Sequence, residues 1–222
     1  MQDLVDGLPN ISVCGEDLEK LTACKKNIFA PLSNISFNKI QSGFGVAMHM
    51  HQPTIPASTE DLRTAELISN LQYMMEHQNI GDNHNAPIFL KCYGRMSDIV
   101  RELVREGHNP RVMLDYSGNL LWGLRQMGED EVLDNLKLIT ADKKYQRHVE
   151  WLGTMWSHAV VTSTPIPDIK LHMLAWRKHF ASIFGPDAAR RVKGFSPPEM
   201  HLPIHPDICF EYVRCLKECG YE

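Results

Sequence analysis

The chain has 222 residues, of which 43% are hydrophobic and 23% charged, and a formal net charge of −4. That length gives room for one domain with a substantial core, in a composition typical of globular proteins. The acidic balance excludes nucleic-acid binding through a basic stripe, and no apolar run approaches the roughly 18 to 20 residues of a membrane span.

The opening "MQDLVDGLPN" lacks a basic segment followed by an apolar core, so it does not read as an export signal, which points to the cytoplasm. The six cysteines form no C-x-x-C pair and read as reduced thiols of that compartment. Residues 1–36 read as an N-terminal extension with a weak helix in "GEDLEKLTACKKNIF", and residues 37–222 as the domain. "FNKIQSGFGVAMHMHQP" predicts the first strand. Strand positions i and i+2 share a face, so His49 and His51 point the same way just where Pro53 and Pro56 break the pattern. "STEDLRTAELISNLQYMMEHQ" predicts a helix capped by Ser58 or Thr59, with Glu60 and Asp61 at its positive end.

After the polar loop "NIGDNHNAP", a second helix covers "IFLKCYGRMSDIVRELVREGHN", with an apolar stripe at Met96, Ile99, Leu103 and Val104 and a C-cap at Gly107. "PRVMLDYSG" is a short strand that leads straight into the helix "NLLWGLRQM". Another helix is expected over residues 129–153, and the β-branched residues of "HAVVTSTP" predict a third strand. The amphipathic helix "DIKLHMLAWRKHFASIFG", the strand-like "VKGFSPPEM" and the helix "HPDICFEYVRCLKECG" complete the order. Strands and helices alternate four times, which predicts an α/β fold with a parallel sheet covered by helices, open or closed into a barrel.

In parallel β/α architectures functional groups gather at the C-terminal strand ends. Those ends supply His49, His51 and Gln52; Asp115 and Ser117; His158, or Thr162 to Thr164 on the other flank; and Glu199. Glu199 follows Pro197 and Pro198, which stiffen its backbone and suit a fixed nucleophile or general base. Retaining sugar hydrolysis needs a second carboxylate about 5 Å away, while histidines and an aspartate hold sugar hydroxyls. The same residues admit a different chemistry. His49, His51, Asp115 and His158 are acceptable zinc ligands, with Glu199 activating a bound water for carbohydrate deacetylation or hydrolysis. Spacing leaves both readings open.

The H-x-H-Q-P run at His49 to Pro53 resembles the first signature region of glycoside hydrolase family 57. "VMLDYSGNLLWGL" looks like the family's second-strand segment. "HVEWLGTMWSHAVVTSTP" is similar to its I-E-x-x-x-x-x-x-x-H-x-x-x-P region through Val149, Glu150 and His158, with the proline displaced to Pro165, and "GFSPPEM" resembles its G-x-W-x-P-E segment. The resemblance runs in order from about residue 38 to the C-terminus. It implies a parallel β/α barrel of the seven-stranded type, present here only as its N-terminal half. The implied activity is that of a retaining glycoside hydrolase or glucanotransferase on α-linked glucans or related sugars, without a metal or other cofactor. Glu199 would be the nucleophile, and His49, His51 and His158 would line the sugar subsite beside Gln52, Asp115 and Ser117.

Ser196 stands where the family carries Trp, which removes a flat surface for a sugar ring. The sequence given stops at "CGYE", where the next strand and its acid/base aspartate should follow. The expectation is therefore a truncated catalytic domain with a carbohydrate substrate, no nucleic-acid or membrane partner, and a second chain or further strands completing the barrel. A non-catalytic sugar-binding or assembly protein is the remaining alternative.

Overall fold

Asp6 and Gly7, both at positive φ, turn the chain between β1 (Leu4–Val5) and β2 (Leu8–Pro9), as two-residue hairpins require. The structure, a computed structural model, describes residues 4–11, 36–57 and 61–222. The helix expected within residues 15–29, Cys14, Cys24, and the cap at Ser58 or Thr59 with Glu60 lie outside the described residues. A 3-10 turn at Phe37–Lys39 precedes β3 (Ala47–Met50), β4 (Thr54–Ala57) and β5 (Glu66–Ser69). Then come α1 (Asn70–Glu76), α2 (Ala86–Arg105), β6 (Val112–Tyr116), α3 (Gly118–Gln126), α4 (Asp130–Ala141) and β7 (Val149–Trp151). The chain closes with α5 (Ile166–Phe184), α6 (Pro186–Arg191) and α7 (Pro206–Glu218).

The parallel sheet has the order β3-β6-β7. Ala47 to Met50 pair in register with Met113 to Tyr116, and Val112 to Leu114 with Val149 to Trp151. A single parallel bridge, Gly153 to Phe195, adds the beginning of a fourth position. There the Gly153 N–H donates to the Gly194 carbonyl at 3.0 Å and the Ser196 N–H to the Gly153 carbonyl at 2.8 Å. The fourth strand expected over "VKGFSPPEM" is thus one residue pair long.

Alternation decides what each strand residue touches. Leu114, Tyr116, Val149 and Trp151 are buried on one face, where the Trp151 ring meets Tyr116 and Phe180 edge-on at 5.3 and 5.1 Å. Helix α5 fills that side with Ile169, Met173, Trp176, Phe180 and Ile183 at helical spacing. Each fully buried side chain of this kind contributes about 1.5–3 kcal/mol. The Trp176 indole N–H also donates to the Tyr116 carbonyl at 2.8 Å, pinning helix to strand. Arg177, on the same helix, is buried as well: it donates to the carbonyls of Ala189 (2.8 Å) and Val192 (3.1 Å), satisfying the end of α6, and lies over the Tyr221 ring. The thiols of Cys215 and Cys219 are buried.

Besides the shortened fourth strand and a first strand confined to Ala47–Met50, three expected elements differ. Within the helix expected from Ser58, Glu66–Ser69 is instead a strand, paired antiparallel with β4 from Thr54↔Ser69 to Ala57↔Glu66. Pro56 fits there because a two-stranded ribbon has open edges for a residue without an N–H. The helix starts only at Asn70, and Ser69 is its cap, accepting the Leu71 N–H at 3.2 Å. The helix expected to run to residue 153 stops at Ala141, where Asp142 turns the chain by accepting the Lys144 N–H at 2.7 Å. Val149–Trp151 then takes the sheet position beside β6. That place being filled, "HAVVTSTP" holds a 3-10 turn, Val161–Ser163, and no strand. His158 therefore sits on the loop after the third strand. Among the described residues no helix is long and apolar enough to cross a membrane.

Candidate functional site

At the C-terminal edge of the sheet, His49 and Asp115 are direct cross-strand partners. The His49 Nδ1–H donates to Asp115 Oδ2 at 2.8 Å. Asp115 is 1% exposed, and its other oxygen is buried without a partner. This hydrogen bond raises the His49 pKa above its ordinary 6.5, against a smaller opposing effect of burial. One step beyond the strand ends, His51 Nδ1 and Ser117 Oγ are 2.7 Å apart. Ser117 also caps α3 by accepting the Leu120 N–H at 3.2 Å, so it is fixed by the helix it starts.

His158 joins them from the loop after β7. Its ring stacks on His51 at 3.9 Å and 19° and lies 4.9 Å from His49. Its Nε2–H donates to Glu199 Oε1 at 2.9 Å. That bond holds the Glu199 carboxyl below the ordinary carboxylate range, while two-thirds of the Glu199 side chain stays open to solvent. Burial, reinforced by the neighbouring His158 and His49, pushes His51 down to about 4. The rim thus presents one imidazole biased toward its cation, one biased toward neutrality and one bound to an exposed carboxylate.

The two loops need support, because His158 (φ 59°) and Glu199 (φ 56°) both occupy the left-handed region, which costs a non-glycine residue about 1–2 kcal/mol. For the His158 loop the support comes from Trp156. Its carbonyl accepts the Asn119 N–H at 3.1 Å, and its ring lies so close to Gly118 that a Cβ there would be 2.2 Å from the indole. Its indole N–H donates to His179 Nδ1 at 3.0 Å. His179 must therefore stay unprotonated at Nδ1, and burial, helped by the Arg125 charge, depresses its pKa to about 4. Trp156 and His179 went unmarked in the sequence, where only the abrupt Ser117-Gly118 junction signals a close approach.

Six expected site residues therefore come together: His49, His51, Asp115, Ser117, His158 and Glu199. Gln52 sits beside them but faces inward, its amide donating to Tyr93 Oη at 2.9 Å and accepting from Asn70 Nδ2 at 3.1 Å. Thr162 and Ser163 lie in the 3-10 turn and Thr164 ends it, bonded to the Val160 carbonyl. Among the described residues no three His, Cys, Asp or Glu side chains are arranged to hold a metal ion. The alternative zinc set of His49, His51, Asp115 and His158 is therefore not found as a metal-holding group.

No family model matches the chain, and no curated protein matches it. Among solved structures the fold is similar to the crystal structure of 4-alpha-glucanotransferase from Thermococcus litoralis, with a TM-score of 0.50 and 18% identity. The match covers 80% of this chain and 21% of that one, so the chain spans about a fifth of its neighbour's length. At that identity the likeness is one of fold, an α/β arrangement of parallel strands and covering helices.

Proposed function

We propose that this chain is the N-terminal, nucleophile-bearing part of a family 57-like β/α-barrel enzyme that acts on α-linked glucans with retention. The observation that carries the reading is the 2.9 Å bond from His158 to a largely exposed Glu199 beside the histidine cluster. A carboxylate held ionised and aimed by a donor is what attack on an anomeric carbon requires. A new bond would form between Glu199 and that carbon as the glycosidic C–O bond breaks, and water or a second sugar would later take the glycosyl group. His49, His51, Asp115 and Ser117 would orient the sugar hydroxyls. The leaving oxygen needs a proton from a second carboxylate about 5–5.5 Å from the first. Asp115 is buried and engaged with His49, so it does not take that role. The fold likeness to a glucanotransferase supports this reading.

Fluoride needs little protonation to leave, so an α-glucosyl fluoride carrying a second, deactivating fluorine tests the nucleophile without the acid. The chain should gain one glycosyl mass, mapped to the peptide containing Glu199, and Glu199→Gln should gain none. An adduct on another residue, or none on the unmodified chain, overturns the assignment.

A further inference from the structure

Beside the β4–β5 ribbon lies a groove of about 590 Å³, within the size range of small-ligand sites. Its apolar lining comes from Pro56, Ala57 and Ile68, and its polar lining from Glu66 and one face of α1. On that face the Tyr73 and His77 rings stack at 4.2 Å and 22°. His77 Nδ1 lies 2.9 Å from the Tyr73 carbonyl, which can only accept, so Nδ1 carries a hydrogen and Nε2 is the ring atom left for a ligand. Gln72 donates one amide hydrogen to Glu76 Oε1 at 3.1 Å, keeping its second for a ligand. With the exposed Glu66 carboxylate, the polar lining is rich in acceptors and negative. Phosphates and other anions are repelled, whereas hydroxyl groups can donate to this lining while a sugar's C–H face covers the apolar part.

The groove is tied to the rim. The Asn70 N–H donates to the Pro53 carbonyl at 2.9 Å, and its side chain donates to Gln52 at 3.1 Å. Helix α1 therefore starts against the residues that follow His51, and Asn70 to His77 covers only about 10 Å of helix.

We propose that this groove is an outer subsite for a neutral glucan chain, binding sugar rings several positions from the bond at Glu199. The ligand class rests on the glycan reading of the rim; the groove itself does not. The test is titration of the whole chain with maltose and with maltoheptaose, compared with Tyr73→Ala, Glu66→Lys and the rim variant His51→Gln. Glu66 is exposed, so its variant keeps the test valid if Tyr73→Ala fails to fold. Maltoheptaose should bind about tenfold more tightly than maltose, as one ring contact plus one or two hydrogen bonds imply. Both groove variants should erase that advantage and leave maltose unchanged. An advantage that survives both, or equal binding of the two sugars with loss only in His51→Gln, overturns the subsite and leaves the rim reading standing. Binding lost in the groove variants and untouched by His51→Gln keeps the groove as a sugar site and overturns the rim reading. Binding of neither sugar, or only of an amino-sugar oligomer, overturns the neutral-glucan assignment.

Discussion

His49 meets Asp115 at 2.8 Å across two neighbouring strands, whereas His158 meets Glu199 at 2.9 Å across two loops. The first pair is set by the sheet, since Ala47 to Met50 and Met113 to Tyr116 are in register and the partners stand opposite each other without backbone strain. The second depends on two non-glycine residues at positive φ and on one tryptophan wedged against a glycine. Their exposures are reversed as well: Asp115 is sealed in, and Glu199 is open. A buried carboxylate on a ladder suits a fixed orienting role. On the proposed reading, an open one on a loop suits contact with a substrate that comes and goes.

The contrast breaks most sharply at Gly118→Ala. The added methyl would overlap the Trp156 ring, so the loop must move or the indole must abandon His179. The expected cost is about 3 kcal/mol in urea denaturation, from overpacking and a lost buried hydrogen bond. Histidine NMR should show His158 detached from Glu199 while His49 keeps its raised value; a change at both sites would mean the two pairs are not independent.

Acid should produce the next largest effect. The unfolded chain binds protons at His51 and His179 near the ordinary 6.5, and the folded chain refuses them until about 4. Their contribution to stability is therefore complete above about pH 6.5 and declines as pH falls toward 4. The buried His179 alone accounts for a loss on the order of 2–3 kcal/mol. His49 works in the opposite sense, stabilising below its unfolded value and losing that contribution as pH rises through its raised one. His179→Gln keeps an acceptor for Trp156 and removes the titration, so its urea midpoint should fall less than the parent's between pH 7 and pH 4. Parallel curves would mean His179 is not kept neutral.

The smallest effect belongs to Asp115→Asn. The amide can still accept from His49, so folding should be nearly unchanged, but the charge that favours imidazolium is gone. The His49 titration should move down to 6.5 or below while Glu199 stays where it was. A His49 value still above 6.5 would show that Asp115 does not raise it.

Much of the rim was legible because period two carries its own geometry. The alternation of His49 and His51 fixes a shared face, and Asp115-Tyr116-Ser117 repeats the spacing on the next strand. Helices α2, α5 and α7 fell where their apolar stripes and Gly107 and Gly220 ends indicate. The third strand was not legible. Val149–Trp151 is three residues long, too short for a period to declare itself, and it follows a helical stretch. "HAVVTSTP" carries strand-forming residues at a place where the sheet has no vacancy. The β4–β5 ribbon was hidden because Pro53 and Pro56 argue against a strand, and only the pairing partners nine to fifteen residues on make one. The Trp156–His179 bond joins residues 23 apart, and nothing local announces it.

The left-handed residues on the rim bear on the order in which the molecule assembles. His158, Glu199 and Met200 all have positive φ, so each position is rarely in its native state in an unfolded chain. Their loops follow the β7–β6 pairing and the Gly153–Phe195 bridge, which bring the two segments together. The loop side of the cluster is therefore expected to order after the sheet and to open more readily than it, which hydrogen exchange would read. On that expectation His158 and Glu199 separate and rejoin while the sheet below stays paired.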